Sequence, residues 1–195
     1  MKVDEPDLGG TYTYADYYAW RWEEMVELIR GKIVKMSPAP GSRHQRVVMN
    51  LSGLLWSSFR GHRCQVFTAP FDVRLPLKRS DTNDQQIVNV VQPDICVVCD
   101  PEKIDERGCL GAPDWIIEVL SQSTSRKDLR DKFDLYEEAG VREYWVVHPQ
   151  EGTILVYVLD KSGKYVGSAK PFVRGDVVRS GSTGIALSLD EIFSE

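Results

Sequence analysis

VNVVQPDICVVC (88–99), PDWIIEVLS (113–121) and SRKDLRDKFDLY (125–136) follow one another in the chain. Each carries a charged residue among apolar neighbours: Asp94, Glu118 and Lys132. Glu118 is the sharpest case. Ile116, Ile117, Val119 and Leu120 surround it in a short apolar run with the make-up of a buried strand. A carboxylate buried there without a partner would cost several kcal/mol in lost hydration, so the sequence predicts a metal ion or a cation beside it.

The first two stretches read as strands joined by the turn-rich DPEKIDERGCLGAP (100–113), and consecutive strands usually lie side by side. Asp94 and Glu118 are then expected to face each other, as a shared divalent ion requires. Asp114 also follows a proline, but four residues before Glu118 on the same strand it is the poorer partner. The third stretch reads as a helix that Ser123, Thr124 or Ser125 can cap and Gly140 can end. At about 100° per residue, Leu129, Phe133, Tyr136 and Ala139 form an apolar arc opposite Lys127, Arg130, Asp131 and Asp134. Lys132 falls inside that arc and Asp128 borders it. An Asp128–Lys132 pair at i,i+4 is worth only about 0.2–0.5 kcal/mol, a weak reason to bury a lysine. VREYWVVHP (141–149) reads as the next strand, and the strand–helix–strand order favours an α/β fold with a central mixed sheet flanked by helices.

Upstream, Thr13 is the expected N-cap of a helix through about Trp22, and MVELI and KIVKMSP flank a tight Arg30-Gly31 hairpin with Glu27 in its first strand. Residues from Ser42 or Arg43 to about Arg60 carry the spacing of an amphipathic helix that Gly61 stops. His44 lies in its first turn, where a histidine ordinarily makes local hydrogen bonds or caps the helix. QVFTAPFDVRLP reads as strand and LKRSDTNDQQ as loop. TILVYVLD, SGKYVGSAK and ALSLDEIF supply a last hairpin and a short terminal helix.

With 195 residues the chain suits one domain with a sizeable core, expected over 12–193 after a tail of 1–11. No apolar run approaches the roughly 20 residues that span a membrane, and MKVDEPDLGG lacks the apolar core of a signal peptide. A cytoplasmic protein with no membrane partner is therefore expected. Along a strand, the side chains of Cys96 and Cys99 point to opposite faces, so Cys64, Cys96, Cys99 and Cys109 are expected to be free core thiols. The net charge of −5 disfavours non-specific nucleic-acid binding without excluding a local basic patch.

PDICVV, PDWIIEVLSQST and RKDLRDKFDLYEEAGVREYWVVHP, with YADYY and VELIRGKIVKMSPAPGSRHQRV upstream, resemble the Uma endonucleases, the second family of that name, in the PD-(D/E)xK restriction-endonuclease-like superfamily. The resemblance implies a restriction-endonuclease-like core preceded by an N-terminal helix and β-hairpin. It also implies a nuclease in which Asp94, Glu118 and the Val119 carbonyl bind Mg²⁺ or Mn²⁺. Leu120 occupies the usual lysine position, two residues beyond the acid, and the family pattern moves that role to Lys132. Glu27, His44 and Asp128 are accessory candidates. The chain departs from the family's frequent acids at Lys32 and His148. DNA is the expected partner, cut by a two-fold homodimer. Arg43, Arg46, Arg60, Arg63, Lys78, Arg79 and Arg126 are candidates for phosphate contacts, though each taken singly reads as a solvated charge. The alternatives are an RNA nuclease and a module on the same fold that binds nucleic acid or protein without cutting.

Overall fold

The computed structural model describes residues 6–20, 24–36, 41–78, 80–121 and 126–195, with Arg126 and Lys127 as backbone only. Thr13 precedes the first helix, α1 (Tyr14–Ala19), and the Asp16 carboxylate accepts both its amide N–H and its hydroxyl at 2.8 Å. The helix ends at Ala19; Trp22, its expected end, lies outside the described residues. β1 (Val26–Ile29) and β2 (Lys32–Lys35) form the expected hairpin, with φ of 53° at Arg30 and 74° at Gly31 making the left-handed turn such a hairpin needs. The amphipathic stretch is α2 (Ser42–Ser58), which buries Val47, Leu51 and Leu55.

Residues 65–76 divide at a cis Ala69-Pro70 bond into β3 (Gln65–Thr68) and β4 (Val73–Arg74), which enter different sheets. Pro93 likewise separates β5 (Val90–Val91) from β6 (Ile95–Val98), since proline cannot donate to a ladder. The connection expected to be loop contains a small hairpin, β7 (Ile104–Asp105) with β8 (Gly108–Leu110). Then come β9 (Trp115–Val119), α3 (Arg126–Ala139) and β10 (Glu143–His148), the expected strand–helix–strand unit, with Gly140 at φ 82° ending the helix. The expected caps at 123–125 lie outside the described residues. β11 (Thr153–Leu159), β12 (Tyr165–Gly167), β13 (Val177–Arg179), β14 (Ala186–Ser188) and α4 (Leu189–Ile192) complete the chain.

The fold is mixed α/β as expected, but among the described residues the strands divide between two six-stranded sheets and a β13–β14 ribbon rather than joining one central sheet. The first sheet has the order β2-β1-β5-β4-β8-β7, and the second β12-β11-β10-β9-β6-β3. In the second, β9 and β10 are parallel, as the helical crossover between them requires, and β6 runs antiparallel to β9. Side chains alternate across β9. Trp115, Ile117 and Val119 pack with α2 and α4, while Ile116 packs with Leu135 and Tyr136 of α3 and with Val73 and Val91 of the first sheet. Glu118 has the parity of Ile116, so the α3 face receives its carboxylate.

The first sheet depends on a close approach at Gly108. Its φ is 121°, and a Cβ there would lie 2.1 Å from the Asp72 carbonyl oxygen. Gly108→Ala should therefore destabilise the protein by about 3 kcal/mol, through backbone strain plus a backbone clash. Urea unfolding measures this, and an unchanged midpoint would contradict the close approach.

The cysteines correct the sequence reading. Cys64 and Cys99, one residue beyond the Gln65–Val98 pair of β3 and β6, form a disulfide, so only Cys96 and Cys109 remain as buried thiols. Cys96 and Cys99 do not bond each other, as the strand geometry requires.

Candidate active site

The β6–β9 register pairs Ile95 with Ile117, so the next positions, Asp94 and Glu118, face each other where β6 begins. Asp94 Oδ2 accepts the Val119 N–H at 2.8 Å, which extends the ladder by a side chain and fixes the carboxylate beside Glu118. Parallel pairing of β9 with β10 supports the other side, and Leu120 donates to the Val147 carbonyl at 2.8 Å.

Lys132 reaches this pair from α3. Its Nζ lies 2.9 Å from Glu118 Oε1 and 2.9 Å from Glu27 Oε1, so it bridges the carboxylates of the two sheets. Glu27 is held in turn by the Gln92 N–H, which donates to Oε1 at 2.8 Å. Gln92 also donates through Nε2 to Asp72 and Tyr17, tying Glu27 to α1. Burial by itself lowers the pKa of the Lys132 ammonium, but Glu118 and Glu27 outweigh it and the net shift is upward. Lys132 is therefore a cation at neutral pH. Glu118 is raised to about 7: burial is the main cause, Lys132 opposes it, and Asp94 and Glu27 add to it.

Tyr136, one turn beyond Lys132, donates its hydroxyl to Glu118 Oε1 at 2.7 Å. The apolar arc contained this residue, and its spacing from Lys132 was the available signal, but the arc alone gives a tyrosine no polar role. His44 does not cap its own helix. Its Nε2 lies 3.4 Å from Asp94 Oδ1. Burial lowers the His44 pKa, but Asp94, Val119 and Glu118 raise it by more, and the net shift is upward.

These groups open into a cleft of about 470 Å³. Met25, Val34, Met36, Val48 and Leu129 give it apolar walls, and Asp128 and Asp131 lie at its α3 side. Lys132 bonds Glu27 and Glu118 rather than the Asp128 that local spacing offered. The Lys127 side chain lies outside the described residues. Asp114 is at the other end of β9, accepting the Cys99 N–H at 2.7 Å and pairing with Arg142 at 2.9 Å, so it takes no part in the cleft.

The donor set suits a hard cation. Among the described residues no three His, Cys, Asp or Glu side chains form a ready-made cage. Asp94, Glu118 and the Val119 carbonyl are oxygen donors that could hold an ion keeping several waters, such as Mg²⁺. Lys132 and Tyr136 both occupy Glu118 Oε1, which orients the carboxylate and leaves Oε2 without a hydrogen bond among the described residues.

A family model described as "Uma2: Putative restriction endonuclease" matches residues 14–189. The chain belongs to this family. An uncharacterized protein of Synechocystis sp. is 26% identical over 182 residues, 91% of this chain and 89% of that protein. The crystal structure of "a putative nuclease belonging to DUF820" from Anabaena variabilis has a TM-score of 0.71 at 22% identity, covering 93% of this chain and 97% of that one. That likeness shows a shared fold. Among the described residues of this Uma2 protein, no helix is long and apolar enough to cross a membrane.

Proposed function

We propose that this Uma2 protein is a metal-dependent nuclease that hydrolyses phosphodiester bonds in DNA, with Asp94, Glu118 and Lys132 as its catalytic residues. The observation that carries the reading is the partly buried Lys132 ammonium, 2.9 Å from the buried Glu118 and beside the facing Asp94. A lysine at that depth meets a need for positive charge that packing does not create.

Asp94, Glu118 and the Val119 carbonyl would hold Mg²⁺ or Mn²⁺. When bound, the ion supplies an acidified water and neutralises charge on the phosphoryl oxygens. Lys132, protonated at neutral pH, acts as a fixed donor to the developing charge rather than as a base. Glu27 is a positioning residue, since it touches Lys132 and holds the ammonium against Glu118. His44 steadies Asp94 through Nε2, 3.4 Å from Oδ1. The apolar stretches of the cleft wall lower the local dielectric and strengthen these charge interactions. A two-fold homodimer would suit cutting both strands of a duplex, and light scattering at tens of micromolar tests it.

The test is cleavage of linear and circular duplex DNA, single-stranded DNA and RNA, with and without Mg²⁺ or Mn²⁺. DNA cleavage that a chelator abolishes is the expected result. A wild-type protein inert on every substrate would sink the enzyme reading, and cleavage confined to RNA would correct the substrate.

Metal binding should depend on pH. A cation at Glu118 must displace the proton that the raised pKa retains, so affinity should climb about tenfold per pH unit below about pH 7 and level off above it. Mn²⁺ titration calorimetry at pH 5.5, 6.5 and 7.5 measures the slope. A flat profile would mean that Glu118 is not a ligand.

A further inference from the structure

Between Glu27 and Asp72 the chain has no acidic residue, in a protein whose net charge is −5. The hairpin cations of this segment are spoken for: Arg30 pairs with Glu138, Lys35 with Glu24, and Lys32 bonds backbone oxygens of the N-terminal loop. Those of α2 and the turn after it are not. Among the described residues Arg43, Arg46, Arg60 and Arg63 make no ion pair with a carboxylate; Arg43 bonds the Gln150 amide oxygen, and Arg60 lies over the Trp56 ring at 5.2 Å.

On the helix, Arg46, Met49, Gly53 and Trp56 share one face, opposite the buried Val47, Leu51 and Leu55. Trp56 is 62% exposed and Met49 71% exposed. The same helix begins at the cleft, where His44, Gln45 and Val48 line the wall next to Asp94. From Arg46 to Trp56 the face runs roughly 15 Å. That is about four nucleotides of one duplex strand at 3.4 Å each.

We propose that this face of α2 is the track by which a nucleic-acid strand reaches the cleft, with phosphates on Arg46, Arg60 and Arg63 and a base against Trp56. The proposal rests on the nuclease reading of the cleft and adds where its substrate lies. Unpaired guanidiniums match a phosphate backbone, and an exposed indole with an arginine beside it is a surface on which any base can stack. Within α2 and the turn after it, no carboxylate of the same segment opposes this attraction.

The experiment measures binding apart from cleavage. Fluorescence anisotropy of labelled single- and double-stranded DNA, in chelator and over a range of salt, should give a linear fall of log affinity with log salt for the wild type. The double variant Arg46→Ala, Arg60→Ala should lower the steepness of that line by about 0.7–0.9 for each phosphate that is no longer neutralised. Trp56→Ala should weaken binding roughly 5- to 150-fold, the range that stacking one base spans. Gly53→Glu places a carboxylate on the track where a Cβ would meet nothing within 4 Å, so it weakens binding without disturbing the fold. Variants that bind like the wild type, or a wild type that does not bind, would overturn the track. So would a Gly53→Glu protein that turns a stable dimer into monomers in light scattering, since the face would then belong to a second copy. If DNA is cut while the variants bind normally, the track fails and the nuclease reading stands. If the variants lose binding but nothing is cut with Mg²⁺, the track stands and the nuclease reading fails.

Discussion

Lys132→Met should lower the rate of metal-dependent cleavage roughly 100- to 1,000-fold, the usual loss when one preorganised donor to transition-state charge is removed. Methionine keeps an unbranched apolar stem on the buried face of α3, so the helix should stay docked. The charge balance changes more. Glu27 and Glu118 each lose the ammonium 2.9 Å away, and stripping one partner from a buried pair costs about 3–5 kcal/mol if the other stays ionised. Part of that cost is avoided because Glu118, already raised by burial, can take up a proton. Losing Lys132 also lets the Glu118 pKa climb above about 7, so metal affinity should fall at pH 6 and fall less at pH 8, where the ion competes less with that proton. Single-turnover cleavage and Mn²⁺ calorimetry at both pH values separate the two effects. Lys127→Met should be nearly silent in both. Wild-type cleavage by Lys132→Met together with an inactive Lys127→Met would show that the catalytic lysine is Lys127 instead.

Glu118 and Lys132 were legible because secondary-structure periods are strict: a charge inside an apolar run, or inside an apolar arc, has nowhere to go but inward. Periodicity does not say which element meets it there. The local candidate for Lys132 was Asp128, four residues away, whereas one of its partners, Glu27, is 105 residues away on the other sheet. The family resemblance supplied Glu27 and His44, and no spacing rule would have. The first sheet stayed hidden because β4, β5 and β7 have two residues each, too few to show alternation. The Cys64–Cys99 bond was missed for a related reason. Whether two cysteines meet across strands depends on the β3–β6 register, and each strand's sequence leaves that register open.

Glu118→Gln and Asp94→Asn should each abolish metal-dependent cleavage, because an amide oxygen is a far poorer ligand for a hard cation than a carboxylate. The two should differ in stability. Glu118 has a folded-state pKa raised from 4.5 to about 7, so its contribution to stability is intact below pH 4.5 and is lost as pH rises through about 7. Above that range the metal-free protein carries an ionised carboxylate in a site that disfavours it. Glutamine removes the penalty while its Oε1 can still accept from Lys132 and Tyr136. Metal-free Glu118→Gln should thus be more stable than wild type by on the order of 1–3 kcal/mol at pH 8 and no more stable at pH 4.5. Asp94→Asn keeps an oxygen for the Val119 N–H but withdraws the charge that faces His44, so it should bring no comparable gain. Urea unfolding of both variants at the two pH values, with chelator present, gives the comparison. If Glu118→Gln were equally stabilising at pH 4.5 and pH 8, its effect would come from packing, and the link between a strained carboxylate and a cation site would lose its support.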